Sequence, residues 1–211
     1  NPAPTITNLS SDTLTYNVGS AATVIEQDGN AAVSDIDSAD FDTGTLTVSF
    51  AAGGVGTQDV LAIRNQGTGA GQIGVSGANV TYAGTTIGTW AGGSGGSNLV
   101  ITLNANANST NTSALIQNIT YQNTNASVPT MSARTVRFVL TDGDGGTSAN
   151  FDTTVNVTSS TLVVVTTNLD TAGANDGDTS SIAALNANKG TDGLISLREA
   201  ITAANNTLGA D

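Results

Sequence analysis

Ligating and ionisable side chains in this chain are almost all aspartates, set in glycine-rich, turn-forming stretches. Seventeen acids face five bases in 211 residues; fifteen of the acids are Asp, and Glu26 and Glu199 are the two glutamates. Three groupings stand out: Asp35-Ile36-Asp37, Asp142-Gly143-Asp144-Gly145 and Asn175-Asp176-Gly177-Asp178. Carboxylates presented by loops are the donors that hard, oxygen-seeking cations such as calcium require. Carboxylates gathered within a few ångströms also repel one another, and no lysine precedes Lys189, so a divalent cation is the natural neutraliser. The competing explanation is turn chemistry, because Asp bonds its own backbone two residues on. That reading suits Asp12, Asp28, Asp40, Asp42 and Asp152. It also suits the 175–178 patch, with Asp170 and Asp192 nearby, which lacks the ligand order of an EF-hand.

Other chemistries lack their parts. With no His and no Cys there is no thiol nucleophile, no imidazole base and no ordinary zinc site. A glycosidase needs two carboxylates across a cleft, but Glu26 falls on an expected strand and Glu199 in a helix cap, and Trp90 and the three tyrosines are scattered. Arg64, Arg134 and Arg137 read as surface strand residues, not as partners of a lyase acid. The chain is therefore expected not to be an enzyme. Its net charge of −12 repels phosphate backbones, so no nucleic-acid partner is expected. No apolar run approaches the roughly twenty residues that span a bilayer, and no basic amphipathic helix is present. The Thr/Asn/Gly-rich, cysteine-free composition suits an extracellular bacterial protein, whose mature form opens without a charged-then-apolar leader.

The elements that must hold these loops are strands. Alternation places Leu46, Val48 and Phe50 on one side of 45–50, and Val136, Phe138 and Leu140 on one side of 135–140. Further strands are expected at 13–18, 22–26, 60–65, 71–75, 78–82, 85–90, 98–103, 118–122 and 149–157, with one or two helical turns at 113–117. Few helical crossovers means antiparallel pairing, and so an all-β antiparallel Greek-key sandwich over residues 1–158. A small strand-plus-helix segment follows at 159–211, with a strand at 161–167, an acidic loop at 168–194 and a helix at 196–206. Ser196 and Glu199 form an S-x-x-E capping box, and Leu197, Ala200, Ile201 and Ala204 make one apolar stripe.

Two resemblances follow. Ser34-Asp35-Ile36-Asp37-Ser38, Asn118-Ile119-Thr120-Tyr121-Gln122-Asn123 and Thr141-Asp142-Gly143-Asp144-Gly145-Gly146, in that order over about residues 1–158, resemble the cadherin-like repeats of giant bacterial surface proteins. Gly193-Leu194-Ile195-Ser196-Leu197-Arg198-Glu199-Ala200 and the residues to Asn205 resemble the CSLREA segment that precedes β-helices in secreted bacterial proteins, with Ile195 where that family has Cys. The first resemblance implies calcium at the poles of the sandwich. It assigns Asp35 and Asp37 as the D-x-D pair, Asp142 as the late Asp, Asn1 as the linker residue, Asp144 as an additional ligand, and Glu26 as an edge ligand at shorter spacing than the family pattern. The function implied is a calcium-stiffened structural or adhesive module of a bacterial surface protein, whose partners are neighbouring domains or identical subunits. One alternative is a filament subunit assembling by strand addition through 161–167 or 5–9; another is a carbohydrate-binding module, which lacks an aromatic platform.

Overall fold

The computed structural model describes residues 1–10, 12–126, 129–158, 165–167 and 176–207. Thirteen strands and three helices follow one another among them: β1 (Thr5–Thr7), β2 (Thr13–Asn17), β3 (Thr23–Val24), β4 (Ala32–Ser34), β5 (Thr45–Ala52), β6 (Asp59–Ile63), β7 (Ile73–Ser76), β8 (Asn79–Tyr82), β9 (Thr85–Gly92), β10 (Leu99–Leu103), α1 (Ser109–Ile116), β11 (Ile119–Asn123), β12 (Ala133–Leu140), β13 (Phe151–Thr158), α2 (Ile182–Ala187) and α3 (Leu197–Asn206). The protein is all-β in class, with three short helices among the described residues. Three sheets form, in the orders β1-β4, β2-β13-β12-β5-β10-β9-β8-β7 and β3-β11-β6.

Period-two alternation explains the large sheet. Leu46 and Val48 of β5 and Val136, Phe138 and Leu140 of β12 are buried, and Val136↔Phe50, Phe138↔Val48 and Leu140↔Leu46 stand in register. Burying each such side chain contributes about 1.5–3 kcal/mol. Pairing is antiparallel through most of the sheet. β2 departs from it: the Thr154 N–H donates to Asp12 C=O and the Val18 N–H to Thr158 C=O, so partners ascend together and β2 runs parallel to β13. The sheet is mixed, which corrects the expected all-antiparallel pairing. Nothing in the composition of 13–18 marks this, because strand direction is set by the chain's route and not by local propensity.

β1 pairs with β4, Ile6 opposite Val33. One edge of the 5–9 segment is thus engaged within its own chain. α1 begins at Asn108, whose side chain accepts from the Thr110 and Asn111 N–H groups while Asn111 bonds back to the Asn108 N–H. This reciprocal cap starts the helix four residues before the expected 113.

One charged pair spans neighbouring strands of the large sheet. Arg137 of β12 makes two 2.8 Å bonds to Asp152 of β13, which is a strand residue and not a turn cap. The Arg137 hydrogen bond holds the Asp152 carboxyl below the ordinary aspartate value, against partial desolvation. A depressed carboxyl stabilises the fold above its ordinary value and loses that contribution as pH falls through the folded one. Both groups are about a third exposed, so solvent screening limits the pair to under about 1 kcal/mol. Asp152→Asn is expected to cost that much in urea unfolding at pH 7 and almost nothing near pH 3; an equal cost at both would remove the ion pair as its origin.

The contacts divide the chain into two compact units, Asn1–Tyr16, Ser20–Gln122 and Ser132–Asn156 forming one, and Asn17–Gly19, Asn123–Met131 and Val157–Asp211 the other. In the second, Ile182, Leu185, Ile195, Ala200 and Ala203 make a small core. Glu199 is buried; its carboxylate accepts from the Ser196 N–H (2.8 Å) and the Gly177 N–H (2.7 Å). Burial of this capping pair turns Ser196, Glu199, Ala200 and Ala203 inward. Leu197 and Ile201 consequently stay 61% and 53% exposed, so of the expected apolar stripe only Ala200 and Ala204 pack against the core. α2 lies inside the stretch expected to be loop. Residues 161–164, 168–175 and 208–211 lie outside the described residues, and with them most of the 161–167 strand and Asp170. Over 165–167 no strand forms, though Thr166 and Thr167 both donate to Ile195 C=O.

Candidate functional site

The turn between β12 and β13 is built around Asp142. Its Oδ1 accepts from the Asp144 and Gly146 N–H groups, both at 2.9 Å, and its own N–H donates to Gly146 C=O. Gly143 allows the fold back, with φ +89 and no room for a Cβ against Asp42 C=O. Asp142 is 1% exposed, yet its Oδ2 is buried and accepts no hydrogen bond. A Cβ built on Gly146 would collide with this Oδ2 and stand 2.9 Å from both Asn1 Oδ1 and Pro2 C=O. Glycine at 146 therefore leaves one small space bordered by three oxygens. The Asp144 carboxylate is exposed, and only its N–H is tied to Asp142.

The D-x-D loop shows the same pattern. Asp35 Oδ1 accepts from the N–H groups of Asp37 (3.2 Å) and Ser38 (3.3 Å), an Asx turn, while Asp35 Oδ2 and Ser38 Oγ are buried without a hydrogen bond. Asp37 sits beside Asp35. Partial desolvation raises its carboxyl above the ordinary aspartate value, as do the Asp35 carboxylate's hydrogen bond and charge, and the α-amino group of Asn1 opposes the rise. Asn1 borders the Asp142 space through its amide oxygen. Between the two acids, Ile36 is 88% exposed.

Glu26 has a different role. Its Oε2 accepts from the Gly29 N–H (2.7 Å), and its Oε1 from Asn30 (2.7 Å) and Ala31 (3.0 Å). Both oxygens are spent on stapling the 26–31 turn. Asp12 is a similar staple, its Oδ2 accepting from the Gln27 N–H. Among the described residues no three His, Cys, Asp or Glu side chains stand close enough to form a ready-made metal cage. The site residues therefore form two half-sites, Asp142 with Asn1 and the Pro2 carbonyl, and Asp35 with Asp37 and Ser38. Ser38 and the Pro2 carbonyl had no sequence signal, since a hydroxyl or peptide oxygen becomes a donor only through its surroundings.

A third acid, Asp59, is buried in a neutralised network. Arg134 Nε meets Asp59 Oδ2 at 2.9 Å with both side chains 0% exposed, and Asp59 also accepts from the Tyr121 hydroxyl (2.6 Å) and the Val55 N–H (2.7 Å). Arg134 Nη1 donates to Ser132. Arg134 is not the surface residue its charge implied; inside the first unit it is the largest fully buried side chain. This contrast matters, because Asp59 shows how the fold satisfies a buried carboxylate when it has a basic partner, and Asp142 has none among the described residues.

No helix among the described residues is long and apolar enough to cross a membrane. Compared with protein-family models, curated proteins and solved structures, the chain matches none.

Proposed function

We propose that this chain is a non-catalytic, extracellular structural or adhesive module of a bacterial surface protein. Residues 1–158 are read as a Greek-key sandwich of cadherin-like type, stiffened at one end by calcium, and 159–211 as a CSLREA-type segment. The observation that carries this reading is Asp142 Oδ2, buried, unbonded, and sharing one small space with the oxygens of Asn1 and Pro2. A carboxylate oxygen held out of water with no donor costs folding free energy. A hard cation satisfies such an oxygen and also takes amide and carbonyl oxygens as ligands. Asp35 Oδ2 and Ser38 Oγ are unbonded donors of the same kind. Asp142, Asn1 and the Pro2 carbonyl would hold an ion at one loop, with Asp144 as an outer carboxylate, and Asp35, Asp37 and Ser38 offer a separate group of oxygens at another. Glu26 is left out of the set, because backbone N–H groups already occupy both of its oxygens. When bound, the ion supplies charge neutralisation and a tether between the N-terminal residues and the loop that carries Asp142.

The proposal fixes a pH dependence. Asp37 is raised, so protons compete with the cation from above the ordinary aspartate range downward. In titration calorimetry with calcium chloride, affinity is expected to fall as pH drops toward 4, and Asp142→Asn to weaken binding on the order of tenfold or more at neutral pH. Calcium heats unchanged by Asp142→Asn would put the ion elsewhere.

A further inference from the structure

The two ends of the eight-stranded sheet are finished differently. At the β7 end, the outward backbone groups are already taken. The Gln66 N–H donates to Ile73 C=O (2.7 Å) and Gln66 Oε1 accepts from the Ile73 N–H (3.0 Å). Asn65 does the same for Val75, accepting from its N–H and donating to its C=O, each at 3.2 Å. Two side-chain amides thus stand where a ninth strand would pair, closing this edge to addition.

At the other end lies β2. Its bonds at Asp12 and Val18 direct the even-numbered residues toward β13, which leaves the N–H and C=O groups of Thr13, Thr15 and Asn17 facing outward. All three are exposed, and among the described residues no strand lies beyond β2. The strand Thr13-Leu14-Thr15-Tyr16-Asn17 carries no charge and no proline, so it lacks the devices that commonly protect an edge.

We infer that β2 is a self-association edge, at which a second copy of this chain adds its own β2 antiparallel about a two-fold axis through Thr15. Register and charge select this occupant. Thr15 then faces Thr15, Thr13 faces Asn17, Leu14 faces Tyr16, and Asp12 faces Val18, so a chain of net charge −12 brings no acid opposite an acid. Threonine pairs are favourable cross-strand neighbours. The contact is isologous and closes on itself. With β7 capped by Asn65 and Gln66, strand addition stops at two copies and does not run on into a filament. The inference is independent of the cation, whose half-sites lie in other loops.

Sedimentation velocity over a concentration series, in calcium and in chelator, tests it. A dimer that grows with concentration is expected in both conditions. Thr15→Pro removes an outward N–H from each copy and is expected to weaken the dimer by at least about tenfold. The double variant Thr13→Lys/Thr15→Lys keeps the backbone intact, sets like charges across the axis, and is expected to be monomeric with an unchanged circular-dichroism spectrum. A wild-type monomer at every concentration, a dimer present only with calcium, or a lysine variant that pairs as tightly as wild type would each overturn the inference.

Discussion

Arg134→Met is expected to cost about 3–5 kcal/mol of folding free energy, one of the two largest effects anticipated for this chain. The guanidinium and the Asp59 carboxylate are both fully out of water. Removing the cation leaves a buried carboxylate without its basic partner, with the Tyr121 hydroxyl and the Val55 N–H among its remaining donors. The penalty is mostly that uncompensated charge and not the lost contact itself, which makes a specific pattern across variants. Asp59→Leu combined with Arg134→Met should recover much of the loss, because an apolar pair of similar volume avoids desolvating two ions. Tyr121→Phe should cost about 1–2 kcal/mol, since one acceptor then loses a donor while Arg134 stays in place. Chemical denaturation gives these values directly, and the midpoint of thermal unfolding for Arg134→Met should drop by roughly 10 °C. A loss below about 1 kcal/mol would mean that water reaches the pair.

The same residues show what the sequence made legible. In β12 the buried positions are Arg134, Val136, Phe138 and Leu140, one parity of a single alternation; in β6, Asp59 shares parity with Leu61. The alternation reaches Arg134 and Asp59 only when each strand is extended one residue before the expected 135–140 and 60–65, and the habit of assigning charge to the surface placed Arg134 outside. Strands with strong alternation, and a helix announced by Ser196 and Glu199, were therefore readable from local pattern. The route of the chain was not. The parallel course of β2, the pairing of Thr5–Thr7 with Ala32–Ser34, and the six-residue α2 all depend on contacts distant in sequence or on elements too short to carry a period. For the site, the D-x-D and D-G-D-G groupings located the loops that matter. Local chemistry could not separate Asp142, whose second oxygen is left unbonded, from Glu26, whose oxygens are both bonded. That distinction is set by which backbone N–H groups happen to point at each carboxylate.

Calcium is expected to raise the folding free energy of the chain by about 3–4 kcal/mol when present at several hundred to a thousand times its dissociation constant, relative to chelator. The size follows from linkage: the unfolded chain scatters Asn1, Asp35, Asp37 and Asp142 along more than a hundred residues and cannot gather their oxygens, so the ion binds the folded state alone. Two variants separate this effect from ordinary destabilisation. Glu26→Ala deletes three backbone hydrogen bonds of the 26–31 turn and should lower stability with and without calcium alike, leaving the calcium increment intact. Asp142→Asn keeps the side chain's shape and an acceptor for the Asp144 and Gly146 N–H groups, relieves the buried charge, and should erase most of the increment while costing little in chelator. Removing the repulsion can even stabilise the metal-free protein, which no purely structural role for Asp142 would do. Thermal unfolding of wild type, Glu26→Ala and Asp142→Asn, each in calcium and in chelator, reads all three terms. An unfolding curve for wild type that does not move between the two conditions would leave the unbonded oxygens of Asp35, Ser38 and Asp142 to water and withdraw the cation from this fold.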